Sequence, residues 1–313
     1  MTKKPTVSIN LCCYNGEKYL REALESIIAQ TYKDWELVII NDGSRDSTES
    51  IIKKYINKGY PIIYHYQENH GLGYSRNEAL KLSSGELIAF IDQDDMWMPE
   101  KIEKQVSIFQ CDPAVSFVYS NFLMLNVEKQ KKYLVFKKSQ PSGYVFESFL
   151  YHYPVGILTA MVRKDAVLSL SELFDQNLHL SEEYDLFMRL LYVFHAVYLP
   201  EPLAVYRIHA RMQSVIRGEE YPDEIEHVMK KIKRLYPGVE NKYADAFKHN
   251  ERKWGYVRSK ICILQGNYKG ARRCIAPYKW HNIKFIAIYI LALIPFRLKL
   301  IYRIFLKYSN IST

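Results

Sequence analysis

The 313-residue chain is short of cysteine: it has five, Cys12, Cys13, Cys111, Cys262 and Cys274, an odd number with no metal-ligand spacing. A disulfide framework or structural zinc site is therefore excluded as an organising device, and a reducing compartment is expected. The uncharged run Phe285–Phe296 spans twelve residues. A bilayer crossing takes about 20, so the run is too short to span. The N-terminal Met1–Pro5 carries two lysines, and the apolar stretch behind it is interrupted by Ser8 and Asn10. No signal peptide is expected, and a cytoplasmic location is predicted. Internal repeats and low-complexity linkers are lacking too.

Acidic residues are missing after Glu251, where 13 basic ones stand. Residues 1–216 hold 23 Lys/Arg against 26 Asp/Glu, whereas residues 217–313 hold 20 against 8. The net charge of +9 is thus a property of the C-terminal part. Such asymmetry points to a polyanionic partner, an anionic membrane or a nucleic acid. The rest of the composition, 48% apolar and 25% charged, is that of a globular protein of one large or two smaller domains.

What is present begins with an alternation of strand-like and helix-like segments. Thr6–Leu11, Trp35–Ile40, Ile62–Tyr66 and Leu87–Ile91 read as strands. Glu17–Gln30, Ser47–Ile56 and Gly73–Leu82 read as helices, and Pro99 opens another. This rhythm predicts an α/β fold with a mostly parallel, Rossmann-like sheet flanked by helices. Beyond residue 110 the rhythm breaks. Val115–Phe122 and Gly156–Val162 look like strands, Glu182–Phe194 like a helix, and Leu203–Ile208 like a short strand. From Glu219 to about Leu264 the pattern is helical and basic.

Ligands on parallel sheets bind at the carboxyl ends of the strands. Three polar clusters fall there: Tyr14-Asn15, Asn41-Asp42-Gly43-Ser44 and Asp92-Gln93-Asp94-Asp95. The last places three carboxylates directly behind a buried apolar strand, which is costly without a cation. A divalent metal with a phosphate ester is the usual partner of such clusters.

These fragments, with Tyr14-Asn15-Gly16-Glu17-Lys18-Tyr19-Leu20, Gln30-Thr31-Tyr32, Asn69-His70-Gly71, Ser75-Arg76-Asn77, Glu182-Glu183-Tyr184-Asp185-Leu186 and Tyr206-Arg207-Ile208-His209, resemble family 2 glycosyltransferases of the GT-A fold. The resemblance covers about residues 5–216 and rests on the order and spacing of the fragments together. It implies an inverting, metal-dependent transfer of a sugar from a nucleotide-diphosphate sugar, UDP-linked by expectation. The acceptor would be a hydroxyl of a saccharide or lipid-linked molecule, in bacterial surface polysaccharide assembly. It assigns Tyr14 and Asp42 to the nucleobase, and Asn15, Glu17 and Arg76 to the rest of the donor. Asp92 would lie near ribose and metal, with Asp94 and His209 toward Mn²⁺ or Mg²⁺. Glu183 stands where relatives carry the base Asp, with Glu182 as the other candidate. Asp95 would face the donor sugar or the acceptor. A nucleotidyltransferase on a similar scaffold is the alternative. It would want a Gly-rich, basic phosphate loop where Cys12-Cys13-Tyr14-Asn15-Gly16 stands.

The resemblance leaves residues 217–313 as a basic helical extension. In Arg297–Lys307 the cations Lys299, Arg303 and Lys307 recur every four residues, with Leu298, Ile301, Tyr302 and Phe305 elsewhere on the helix. Residues from about 281 to 307 are expected to lie on an anionic membrane surface. The apolar run beside the charges counts against the other reading, a nucleic-acid-binding tail.

Overall fold

The computed structural model describes residues 4–293. Two compact units divide the chain. The first holds Met1–Phe146 and Pro154–Ile216, and the second holds Glu147–Tyr153 and the chain from Arg217.

The first unit opens with β1 (Val7–Cys13), α1 (Leu20–Ile28), β2 (Trp35–Asp42), α2 (Thr48–Asn57), β3 (Ile62–Gln67), α3 (Leu72–Leu82) and β4 (Leu87–Asp92). Every residue of β2 is buried, as expected for a strand covered on both faces. Helix α1 buries Leu20, Ala23, Leu24 and Ile27, the stripe that a 3.6-residue period puts on one face. These side chains pack on Val7, Ile9 and Leu11 of β1 and Leu37 and Ile39 of β2 in the main core. Then follow β5 (Met96–Trp97), α4 (Lys101–Cys111), β6 (Val115–Asn126), β7 (Lys131–Leu134), α5 (Phe146–Tyr151), which from Glu147 on belongs to the second unit, β8 (Met161–Arg163), α6 (Lys164–Leu168), α7 (Glu182–Val193), β9 (His195–Ile208) and α8 (Gln213–Ile216).

The strands form one sheet in the order β3-β2-β1-β4-β8-β6-β9-β5, with β7 beside β6. Strands β4 and β6 are both antiparallel to β8, and β9 is parallel to β6. The sheet therefore reverses at β8 and reverses back. The carboxyl ends of β1, β2, β4 and β9 consequently face the same way, which sets the rim on which a site can be built.

Two segments differ from the sequence expectation. Gly156–Val162 is not one strand: residues Ile157–Thr159 make a single 3₁₀ turn before β8. Strand β9 starts at His195 rather than Leu203. Pro200 and Pro202 interrupt its pattern, because proline cannot donate to a ladder. The structure accommodates them by register shifts against β6: Pro200 and Glu201 are skipped between the Ser120–Leu199 and Asn121–Pro202 pairs, and Leu203 is skipped before Phe122–Ala204, so extra residues bulge out of β9 while Pro202 stays opposite Asn121.

The second unit carries α9 (Tyr221–Leu235), α10 (Val239–Lys242), α11 (Ala244–Leu264), α12 (Tyr268–Ile275) and α13 (Ile283–Leu291). Asn267 and Asn282 cap α12 and α13 by accepting from backbone N–H groups in the first turn. Its core joins Ile263, Ala271, Ile275, Phe285, Ile288 and Ala292.

The turn after β2 requires glycine. Gly43 has φ +78°, and a Cβ there would stand 2.9 Å from the Asn69 backbone nitrogen. Gly43→Ala should therefore lower stability by about 1–2 kcal/mol, from the left-handed backbone alone. A denaturant midpoint measurement checks this, and an unchanged midpoint would refute the strain.

Candidate active site

The three strand-end clusters meet. Tyr14 N donates to Gln93 Oε1 and Gln93 Nε2 donates to Tyr14 O, both at 3.0 Å, so one amide ties the end of β1 to the end of β4. Asn15, with φ 49°, receives a bond from Arg45 N at 2.9 Å and gives its own N–H to Ser44 Oγ at 2.9 Å. Glu17 does the same one step on, donating to Asp46 and accepting from Ser47 N, each at 3.0 Å. Asn15 and Glu17 thus fasten the loop after β2 rather than pointing at open space. Tyr14 is 47% exposed and free to stack on a planar ligand.

Asp42 is buried, and both its oxygens are engaged. Oδ1 accepts from Gln67 Nε2 (2.7 Å) and His70 N (2.9 Å), and Oδ2 accepts from Gly71 N (2.9 Å). Its carboxylate shapes the 69–71 turn that starts α3.

Helix α3 delivers Arg76, which is buried. Its Nη1 lies 2.5 Å from Glu182 Oε1 and 3.7 Å from Glu183 Oε2, and its Nη2 lies 3.0 Å from Asp92 Oδ1. One guanidinium therefore bridges the end of β4 to the start of α7. Burial opposes its charge, but Glu182, Asp92 and Glu183 together push its pKa up. Arg76, expected to meet the donor, is committed in this structure to carboxylates of its own chain.

The two candidate bases are now distinguishable. The Glu182 side chain is 3% exposed, against 20% for Glu183. Glu182 takes the short contact with Arg76. Glu183 is left with burial and the neighbouring Glu182 charge, which raise its pKa from 4.5 to about 8, while Arg76 acts the other way. A carboxylate poised near neutral pH is what a general base requires.

Asp94 and His209 meet across the rim, Oδ2 to Nε2 at 2.9 Å. Burial, followed by the Asp92 charge, raises the Asp94 pKa, and His209 opposes this. Asp95 is turned inward and buried. Its Oδ1 accepts from Arg207 N at 2.9 Å, and its Oδ2 has no hydrogen-bond partner among the described residues. Burial, with Asp94 and Asp92, holds its pKa well above the usual carboxylate range. Among the described residues no group of three or more His, Cys, Asp or Glu side chains is arranged to hold a metal ion.

Sequence reasoning gave no role to Arg207, which organises this corner. Its Nε donates to Asp94 O (2.7 Å), its Nη2 to Glu22 (2.9 Å), and its guanidinium stacks 4.5 Å from the Tyr19 ring centroid. The Tyr19 and His209 rings lie 4.9 Å apart. The available signal was the two-residue spacing of Arg207 and His209, which puts both on one side of β9. Cys12 lies close to the same charges, but burial pushes its thiol up to about 12, so it is no nucleophile.

The raised Glu183 value has a thermodynamic consequence. The folded state holds a proton that the unfolded chain releases near pH 4.5, so this group's stabilising contribution is full below that pH and is lost as pH rises through about 8. Glu183→Gln should remove that contribution. The melting temperature of the wild type should fall more steeply between pH 5 and 8 than that of the variant, and parallel curves would refute the shift.

The family described as glycosyl transferase family 2 matches residues 8–166. An uncharacterised glycosyltransferase of Rickettsia prowazekii is 30% identical over 266 residues, 82% of each chain. One of Rickettsia typhi is 33% identical over 66% of this chain and 65% of its own length, so the match spans just under two thirds of that relative. TuaG of Bacillus subtilis, provisionally named for teichuronic acid biosynthesis, is 28% identical over 52% of this chain and 64% of its own. Among solved structures, Staphylococcus aureus TarS 1–349 in complex with UDP superposes with a TM-score of 0.67 at 19% identity, covering 91% of this chain and 89% of that one. The mannosyltransferase PcManGT of Pyrobaculum calidifontis, with GDP-Man and Mn²⁺, gives 0.63 at 16% identity over 98% and 84%. The structural likenesses carry the fold, the α/β architecture of GT-A glycosyltransferases.

Proposed function

This chain belongs to glycosyl transferase family 2, and we propose that it transfers a sugar from a UDP-linked donor, with inversion, to a hydroxyl of a saccharide or lipid-linked acceptor. The observation that carries the reading is the Arg76 bridge. It brings Asp92 and the Glu182-Glu183 pair, 90 residues apart in sequence, to one guanidinium. A donor-binding end and a basic carboxylate in one place are what a single displacement needs.

Glu183 accepts the proton of the acceptor hydroxyl as that oxygen attacks the anomeric carbon. Arg76 holds Glu182 and Asp92, so the two glutamates do not share the same role. Tyr14 stacks on the base of the donor, and the turn fixed by Asp42 closes beside it. Asp94 and His209 are the pair that would hold Mn²⁺ or Mg²⁺, with Asp92, paired to Arg76, as their acidic neighbour. The pairing of a hard carboxylate oxygen and an imidazole at one rim fits such an ion, with donor phosphates and water filling the remaining positions. When bound, that ion neutralises the departing diphosphate. PcManGT was solved with Mn²⁺ and TarS with UDP, which supports both groups here. The name of TuaG supports a place in bacterial surface polysaccharide assembly.

The assay is nucleotide release from a panel of nucleotide sugars with Mn²⁺. Asp94→Ala should abolish most turnover on the true donor, and Glu183→Gln should reduce it by about 10²–10⁴. The kcat/KM of the wild type should rise as pH passes through about 8, since the base must be deprotonated. Equal turnover by wild type and Asp94→Ala, or a flat pH profile, would sink the assignments.

The same reading places the enzyme on the inner face of an anionic membrane. No described helix is long and apolar enough to cross a membrane. Of the expected membrane-facing tail, residues 294–307 lie outside the described residues. Within them, α13 buries Phe285 and Ile288 and exposes Ile283 (75%) and Ile290, with Trp280 (77%) just before it. A helix apolar on both faces, with no acid anywhere after Glu251, suits an anionic lipid surface. The protein should sediment with phosphatidylglycerol vesicles and not with phosphatidylcholine ones, and Ile283→Asp with Ile290→Asp should weaken this several-fold. Sedimentation that ignores lipid charge would refute it.

A further inference from the structure

The hairpin of β6 and β7 is a dense patch of positive charge in a part of the chain, residues 1–216, whose overall balance is slightly negative. Residues 127–138 contain five lysines (Lys129, Lys131, Lys132, Lys137 and Lys138) against one acid, Glu128. All five lysines are exposed, and none makes an ion pair among the described residues. Tyr133 and Leu134 between them are also exposed.

The hairpin is anchored. Val135 N donates to Phe122 O at 3.1 Å. The Asn121 side chain accepts from Phe136 N at 3.1 Å and donates to Phe136 O at 2.8 Å. The Phe136 ring packs edge-on against Phe122 at 5.9 Å. The lysines therefore stand on a fixed platform.

Register places that platform. Leu125 of β6 is paired with Lys132 of β7 on one side and with Arg207 of β9 on the other; Asn126 is paired with Lys131 and Ile208. Strand β7 thus lies two strand spacings, about 10 Å, from the end of β9 that brings His209 to Asp94. That distance is the span of one or two sugar rings. Alternation along β7 sends Lys131 and Tyr133 to one face and Lys132 and Leu134 to the other, so one face pairs a cation with an aromatic ring able to stack on a saccharide.

We propose that the β6–β7 hairpin binds an anionic saccharide, the acceptor, through the positive charge of Lys131, Lys132, Lys137 and Lys138, with Tyr133 on the Lys131 face as the stacking ring. The identification as acceptor rests on the transferase reading above; the binding itself does not. Lysines also guard exposed sheet edges against aggregation, but guarding an edge does not require five cations of one sign beside the candidate site.

The experiment uses the full chain and fluorescence anisotropy with a short labelled oligogalacturonate, a phosphorylated oligomannoside and a neutral maltooligosaccharide. At least one anionic probe should bind and the neutral one should not, and the preferred anion identifies the charged group recognised. K131Q/K132Q/K137Q/K138Q should weaken that binding about tenfold and flatten its salt dependence, with the melting temperature unchanged. A charge-matched control on α2, the residue after it and α3, K53Q/K54Q/K58Q/K81Q, should stay within about twofold. Equal losses in both variants would mean diffuse attraction to net charge. No loss in the hairpin variant would mean edge guarding only. Either overturns the inference, as does equal binding of the neutral probe. The donor panel reports separately: binding that maps to the hairpin without turnover of any donor removes the transferase reading alone, and turnover with unaltered hairpin-variant binding removes this inference alone.

Discussion

The candidate site depends on one buried guanidinium. Removing Arg76 from water is expensive, and it is balanced only because Glu182 and Asp92 meet it at 2.5 and 3.0 Å, with Glu183 at 3.7 Å. Glu182, buried beside it, depends on Arg76 in turn, since a buried acid without a counter-charge takes up a proton instead. The arrangement divides two adjacent and chemically identical side chains. Glu182 is absorbed into the ion pair, and Glu183 remains on the accessible side with a pKa near 8. A difference of one position at the start of α7 thus becomes a difference of function.

A second guanidinium, Arg207, does for backbone what Arg76 does for side chains. It holds the Asp94 carbonyl, and its own N–H holds Asp95. The end of β4 and the loop after it are therefore gripped at three points: Gln93 is tied to Tyr14 just past β1, Asp92 to Arg76 of α3, and Asp94 to Arg207 of β9. This grip is possible because the sheet reverses at β8 and recovers its direction at β6 and β9. Had the reversal not been undone, His209 would have stood at the opposite end of the sheet from Asp94.

Much of this was legible in the sequence, and the limit falls where local chemistry gives way to tertiary choice. The strand ends were visible because burial, turn residues and apolar period are written in neighbouring positions, as at Leu87–Asp92 and Asn41–Ser44. The partners of polar side chains were not. Nothing local tells that Asn15 and Glu17 turn to the loop after β2, that both oxygens of Asp42 serve residues 67–71, or that Arg76 meets Asp92, Glu182 and Glu183. Strand β9 was read too short because its prolines obey a rule that a bulge within β9, visible only in its register against β6, lifts. Arg207 went unassigned because its work is done through a carbonyl and a backbone N–H, which no residue type advertises.

The contacts that complete the rim join residues far apart: Arg76 to Glu182 across 106 positions, Asp95 to Arg207 across 112, Asp94 to His209 across 115. On a ribosome adding about 5–20 residues per second, that interval is on the order of ten seconds. Throughout it, the nascent chain presents Arg76 without Glu182, and Asp94 and Asp95 without His209 and Arg207. The parallel half of the sheet can collapse early, but its most charged edge stays open until the last strand arrives. Folding of this domain is therefore bound to the completion of its own translation, and a chain stalled before β9 exposes a sheet edge and an unpaired acidic loop to whatever chaperone or protease reaches it first.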